Sequence, residues 1–303
     1  YIDGHIAKDA IAQLNRLKDK PFFLAVGFYK PHLPFCAPKK YWDLYSDADI
    51  KLADNPFYPQ GAPKFALTSW GELRGYIGMP KKDEPMPDDL ARQLLHSYYA
   101  CVSYADAQVG KVLDELDRLK LRDNTIVVLW GDNGWKLGEH SMWAKQTDYE
   151  LDTHVPLIIS APGMKDRGRP TRALSEFVDI YPTLCDLCGL AKPAHLQGTS
   201  LVPLLANPDL SWKTAAFSQF PRKLGKEDLM GYAMRTDRYQ FTRWVDLKDH
   251  TKVVAQELYD LQTDPEENTN IANDPANQAL VEKLIGRWQA GWQGARPEPT
   301  IAP

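Results

Sequence analysis

The chain of 303 residues has only four cysteines, Cys36, Cys101, Cys185 and Cys188. That is too few to staple a chain of this length, so stability must come from a buried core. No apolar run approaches the roughly 20 residues needed to span a bilayer as a helix. Basic residues are not in surplus: 36 Lys and Arg against 40 Asp and Glu leave a net charge of -4. A generic polyanion or nucleic-acid binder advertises the opposite sign, although a local basic pocket is compatible with any net charge. Internal repeats and low-complexity segments are absent, which removes solenoid and linker readings. There is neither an initiator methionine nor a signal-peptide pattern. Tyr1-Ile-Asp-Gly already reads as the approach to a helix, so this start is expected not to be a native N-terminus. What is left is ordinary, 44% hydrophobic and 25% charged, and suits one large globular domain or two smaller ones.

Cys185 and Cys188 have C-x-x-C spacing, which invites a zinc or redox reading. No second C-x-x-C or His pair completes a zinc site. Both cysteines fall in an apolar helical pattern over residues 178–190, and the spacing is read as two buried helix cysteines, free or locally bridged.

Ala7, Ile11, Leu14 and Leu17 recur at helical spacing and predict a short helix feeding a strand-like run over residues 22–28. Residues 34–88 are proline-rich and aperiodic, a long surface excursion of the kind that usually serves a site. Residues 90–119 carry the strongest helical stripe: Leu94, Tyr98, Cys101, Val102, Ala105, Val109, Val112, Leu113 and Leu116. A strand over 125–129 follows at once, and helix-then-strand order predicts a parallel α/β unit. Further strands are expected at 154–160 and 174–177. Beyond residue 190 the character changes. Runs at 231–235 and 239–245, joined by Thr236-Asp-Arg238, read as a hairpin, and a last helix covers 278–292. The expected fold class is therefore α/β, a mostly parallel sheet sandwiched by helices over residues 1–210, with a small antiparallel sheet plus helix over 211–303.

Chemistry concentrates where the apolar run 125–129 breaks into G-D-N-G-W-K-L-G-E-H over residues 131–140, followed by Trp143-Ala-Lys145. A buried strand delivers Asp132 and Asn133 at its C-terminal end, where ligands bind in open α/β sheets. A carboxylate beside an amide carbonyl offers the hard oxygens that Ca²⁺ or Mg²⁺ prefers. Gly131 and Gly134 allow a tight turn, and Lys145 adds a cation for an anionic substrate. Asp-Asn-Gly alone reads first as a turn, and only its longer context favours a site. Trp135 and Lys136 follow the pair and either line a pocket or serve the core. Glu139 and His140 are placed to orient the lysine loop or meet substrate. His154 precedes a strand and is read as a structural hydrogen-bonding residue. The acidic cluster 264–267 lacks the glycine and spacing of an EF-hand loop and is read as a solvated turn. His5, His96, His195 and His250 are given no role.

The longer context G-D-N-G-W-x-L-G-E-H-x-x-W-x-K resembles the second metal-binding segment of type I, formylglycine-dependent sulfatases in the alkaline-phosphatase-like superfamily. K-P-H-L-P-F over 30–35, T-H-V-P-L-I-I over 153–159, A-P-G over 161–163, V-D-I-Y-P-T-L over 178–184, and E-L-Y-D-L over 257–261 with Asp264, Pro265, Glu266 and Asn268 are similar to further family segments, in family order. The nearest branch looks iduronate-2-sulfatase-like. The resemblance implies that Asp132 and Asn133 ligate Ca²⁺, with Mg²⁺ as the alternative. It implies that Lys145 grips sulfate oxygens and that His32 contacts sulfate and protonates the leaving oxygen. Lys30, Trp135, Lys136 and His140 are the substrate-binding candidates. The implied substrate is a sulfated carbohydrate, a 2-O-sulfated uronic acid of a glycosaminoglycan or algal polysaccharide.

The chain departs from the family in having no Asp-Asp near a first strand and no full C-x-P-S-R nucleophile motif. Cys36-Ala-Pro-Lys-Lys40 puts Lys40 where Arg is expected and follows the K-P-H segment instead of preceding it. The formylglycine is therefore expected in an N-terminal portion of the same protein, which becomes a partner of this chain. Without such a portion the rival readings are a pseudoenzyme or binding module. A phosphoesterase of the same superfamily is the other rival, disfavoured because Asn133 stands where transition metals would want imidazole. A secreted, periplasmic or lysosomal location is implied. The lack of an N-x-S/T sequon leans towards a bacterial periplasmic or secreted source.

Overall fold

The computed structural model describes residues 1–68, 71–82, 84–165 and 167–297. The chain divides into two compact units: Tyr1–Pro56, Gly71–Ile126 and Leu137–Ala144 form the first, and Phe57–Trp70, Val127–Lys136 and Lys145–Pro303 the second.

The first unit is helical. Helix α1, Ile2–Leu17, buries Ala7, Ala10 and Leu14 along one face, and packs on the long helix α3, Asp88–Arg118. Between them lies the single turn α2, Lys39–Trp42, which also packs on α3. Pro87 precedes α3, acidic Asp88 and Asp89 fill its first turn and Arg118 its last, all in the sense the helix dipole favours. The buried face of α3 is rotated from the predicted stripe. Val102 is 43% exposed, whereas His96, Gln108 and Glu115 are buried. Tertiary partners decide this. His96 stacks on Trp42 with ring centroids 3.6 Å apart and bonds Asp47 and the Trp42 carbonyl. Glu115 accepts from Arg118 and Asn15. In the run 22–28 Phe22, Leu24, Val26 and Phe28 are half-buried and their neighbours exposed, the period of a strand, yet it pairs with no other described strand.

In the second unit β1, Val127–Trp130, is followed by the one-turn helix α4, Glu150–Thr153, and by β2, Leu157–Ser160. The strands pair antiparallel, Val127 opposite Ser160 and Trp130 opposite Leu157, so the parallel pairing expected of β1 is not formed among the described residues. A parallel pair needs a crossover, usually a full helix; here the connection carries only the 3-10 turn Glu139–Ser141 and α4, and doubles back. The strand expected at 174–177 is instead a capped loop. The Glu176 N–H donates to Asp179 at 2.8 Å, and Lys213 pairs with both carboxylates at 2.7 Å, which turns the chain into α5, Ile180–Leu187. Cys185 is buried and Cys188 exposed, both free, because Cys188 lies past the last helical turn. Helix α6, Val202–Ala206, follows.

The C-terminal meander β3, Ala216–Leu224, β4, Glu227–Arg235, β5, Tyr239–Asp246, and β6, Val253–Asp260, is antiparallel in sequence order. The predicted hairpin is β4–β5, with Arg235 opposite Gln240. Helix α7, Gln278–Gly294, covers the sheet. Val281 and Leu284 from the helix cluster with Met234, Phe241 and Leu258 from the strands. Each such fully buried side chain contributes about 1.5–3 kcal/mol relative to exposure. The mixed α/β class with a small C-terminal antiparallel sheet and helix is as the sequence predicts.

Candidate active site

The strand β1 ends at Trp130, one residue past the predicted run, and is half-buried, not buried as expected; the loop after it is pinned on both sides. Gly131 N–H donates to the Pro156 carbonyl at 3.1 Å and Gly134 N–H to the Asp152 carbonyl at 2.9 Å. A Cβ on Gly134 would stand 1.7 Å from the Leu151 carbonyl oxygen, so only glycine permits this approach. Between these anchors Asp132 and Asn133 are exposed. Neither side chain makes an ion pair or hydrogen bond among the described residues. A rigid turn thus presents one carboxylate and one amide carbonyl outward, a donor set that suits a hard cation. Among the described residues no group of three or more His, Cys, Asp or Glu forms a complete metal site.

Lys145 is half-buried with its ammonium 5.5 Å from the centroid of the Trp135 indole, a cation–π contact. These two candidates are brought together. Lys136 goes elsewhere. It is fully buried, and its ammonium pairs with Asp152 at 2.9 Å and donates to the Thr147 hydroxyl at 2.8 Å. It does not reach a solvent-facing wall where substrate could meet it, because a buried cation must be paired and Asp152 supplies the pair.

Lys30 and His32 share one loop of the first unit. Asp3, fully buried, accepts from the N–H groups of Tyr29 at 2.7 Å and Lys30 at 3.0 Å and fixes the loop entry. The Lys30 ammonium turns back onto the His32 carbonyl at 2.9 Å and the Pro34 carbonyl. The His32 ring lies with Nδ1 2.9 Å from the Leu33 carbonyl and Nε2 3.3 Å from Glu72. His140, also of the first unit, is 1% exposed in a left-handed turn at φ 54°, its N–H donating to the Asn55 carbonyl at 2.9 Å. Burial keeps its ring from the surface, so it shapes this turn and does not offer a contact to substrate. His154 bonds Glu150 at 3.0 Å, a structural contact as read from the sequence.

Sequence reasoning missed a buried polar cluster in the second unit. Glu257 accepts from Tyr149, Tyr259 and Trp244, each at 2.7 Å. Glu267, in the turn expected to be solvated, is 2% exposed and accepts from the Glu150 N–H at 2.8 Å. Asp148 is buried, with Oδ2 lacking a hydrogen-bond partner among the described residues. A Cβ at Gly231 would stand 2.5 Å from that oxygen. No local pattern marks these acids as buried, since Tyr149 reaches Glu257 and Glu150 reaches Glu267 from more than a hundred residues away in the chain.

Burial pushes the Asp148 carboxyl up to about 8 from an ordinary 3.8, against the pull of Arg222. Burial raises Glu257 and Glu267 as well. An acid with a raised native pKa binds a proton in the folded state that the unfolded chain has already lost. Its stabilisation is complete below the unfolded value and fades as pH rises through the folded one. The melting midpoint should therefore fall steadily from about pH 5 to about pH 8, and Asp148→Asn should flatten that slope. Equal slopes for parent and variant would rule Asp148 out as the titrating group.

A family model described as Sulfatase matches residues 1–190, and a second, described as N-sulphoglucosamine sulphohydrolase, C-terminal, matches residues 138–291. Iduronate 2-sulfatase of Mus musculus is 33% identical over 354 residues, covering 93% of this chain and 64% of that protein. A sulfatase of Formosa agariphila is 31% identical over 287 residues, covering 92% of this chain and 53% of its own. Among solved structures, a phosphonate monoester hydrolase from Silicibacter pomeroyi superposes with a TM-score of 0.81 at 22% identity, over 100% of this chain and 62% of that one; this is likeness of fold. The chain thus spans 64% or less of the length of these relatives. The D-N-G turn and the K-P-H loop lie inside the matched residues 1–190, and on that match the chain belongs to the sulfatase family.

Proposed function

We propose that the whole protein hydrolyses a sulfate ester, with a 2-O-sulfated uronic acid of a glycosaminoglycan or other sulfated polysaccharide as its substrate class. The observation that carries this reading is the 33% identity to a relative named iduronate 2-sulfatase across 93% of the chain. The outward Asp132–Asn133 turn and the Lys145–Trp135 contact support it. Sulfuryl transfer spreads negative charge over equatorial oxygens, and fixed cations stabilise that charge. Lys145 is the cation on this reading, and the Trp135 ring limits where its ammonium swings. A carbonyl can only accept, so His32 Nδ1 donates to Leu33. In the neutral ring that leaves Nε2, 3.3 Å from the Glu72 carboxylate, without a hydrogen, so only the imidazolium carries a proton there that could pass to a leaving alkoxide. Lys30 steadies the His32 loop through its two carbonyl contacts.

Asp132 and Asn133 would hold Ca²⁺, or Mg²⁺ as the alternative. Once bound, the ion supplies a fixed positive charge beside the sulfate. Calcium takes six to eight oxygens, so the remaining ligands and the formylglycine nucleophile would come from an N-terminal portion of the same protein. A periplasmic, secreted or lysosomal location goes with this reading. The test is sulfate release by the full-length gene product from a disaccharide ending in a 2-O-sulfated uronate. Release should stop with a calcium chelator and return with added Ca²⁺. Faster cleavage of a phosphate monoester than of any sulfate ester would overturn the assignment.

A further inference from the structure

Lys145 is followed by Gln146 at φ 77°, a left-handed conformation that a side-chain-bearing residue keeps only where its surroundings fix it. The next three residues are fixed one after another. The Gln146 carbonyl accepts from Arg222 Nη2 at 2.6 Å. Thr147 donates its N–H to Asp152 at 2.8 Å and its hydroxyl to the same oxygen. The Asp148 carbonyl accepts from the Gln240 amide. Arg222 comes from β3, remote in sequence, and its guanidinium also donates to the Ala66 carbonyl from Nε at 3.2 Å and Nη2 at 3.0 Å, and to the Pro221 carbonyl from Nη1 at 2.8 Å. Its Cζ lies 4.9 Å from the Phe220 ring centroid and 5.8 Å from that of Trp244. A guanidinium directed at three main-chain carbonyls and set against two rings is a rigid fork. A lysine ammonium, a point donor on a flexible stem, could not reproduce it.

We propose that Arg222 is a positioning residue for Lys145: by holding the Gln146 carbonyl it sets the turn that aims the Lys145 ammonium at the sulfuryl oxygens. This rests on the sulfatase reading for its target, but not for the clamp itself. Arg222 touches no reacting atom and acts only through the turn. A reacting group displaced by about 1 Å can lose roughly 10²-fold in rate.

The experiment is a double-mutant cycle in the full-length protein, with 4-nitrophenyl sulfate as probe, read as kcat and KM separately. Hydrogen exchange at the amides of residues 146–149 is measured alongside. Arg222→Lys keeps the charge and the fold's solubility while removing the fork. It should lower kcat by about 10-fold or more, change KM less, and speed exchange at Thr147 and Asp148. In a Lys145→Ala background the same change should move kcat by less than about 3-fold, because the residue it acts through is gone. Equal losses in both backgrounds would overturn the proposal in favour of a general structural role. Unchanged exchange and unchanged kcat in Arg222→Lys would overturn it outright. A parent protein without turnover, combined with faster exchange in the variant, would sink the sulfatase reading and leave the clamp in place.

Discussion

Replacing Asp152 with alanine is expected to cost about 3–5 kcal/mol of folding stability. Lys136 is fully buried and the Asp152 side chain is 3% exposed, so removing the carboxylate strands an ammonium among the residues of a closed interior. Among the described residues the Thr147 hydroxyl, at 2.8 Å, and the Tyr149 ring, its centroid 5.3 Å away, would remain to it. That hydroxyl would also lose its own acceptor, since it donates to Asp152. The turn carrying Thr147 and Lys145 would loosen with it. The double change Lys136→Met with Asp152→Leu should recover most of the loss, because two apolar side chains of similar volume carry no desolvation penalty. Urea unfolding midpoints of the parent, the single and the double variant measure this. A single variant within about 1 kcal/mol of the parent would mean that solvent or another group reaches Lys136.

Lys145→Ala should have the opposite profile. Lys145 makes no ion pair among the described residues and stands over Trp135, so its loss should change stability by no more than about 0.5 kcal/mol. Turnover of a sulfate ester should fall roughly 10²–10³-fold, the usual cost of removing one group that stabilises transition-state charge. Steady-state kinetics and a melting curve on the same preparation separate the two effects. A kcat within a few-fold of the parent would take Lys145 out of the reaction. Two lysines of one short motif are thus expected to divide the work: Lys136 supports the fold and Lys145 the chemistry.

That division was not legible in the sequence. Both lysines follow the D-N-G turn, and a cation beside an oxygen-rich turn suggests anion binding in either case. What separates them is Asp152, which lies on the other side of Lys145 in the chain and meets Lys136 only once the 145–153 segment folds back. Glu267 is a similar case. Its neighbours Asp264 and Glu266 make it look like part of a solvated acidic turn, but α4 offers its first N–H group to the carboxylate. The rotated face of α3 has the same origin, since His96 is drawn inward by stacking on Trp42. The periodicity that located α3 could not rank a histidine above Val102.

The sequence by itself determined the helices α1 and α3, the strand before the D-N-G turn, the β4–β5 hairpin, the final helix and the family. These are local matters. Period-two and period-3.6 patterns, turn residues between apolar runs, and motif order all operate over a few residues at a time. Only the tertiary structure decided that β1 pairs antiparallel with β2, that Lys136 is an interior cation, that the three acids Asp148, Glu257 and Glu267 lie buried, and that Arg222 holds the turn after Lys145. Each depends on which distant group ends up beside a charge or a strand edge. In a low-dielectric interior an unpaired charge or main-chain group is too costly to keep, so the partner found in three dimensions, and not the local pattern, fixes the role of the residue.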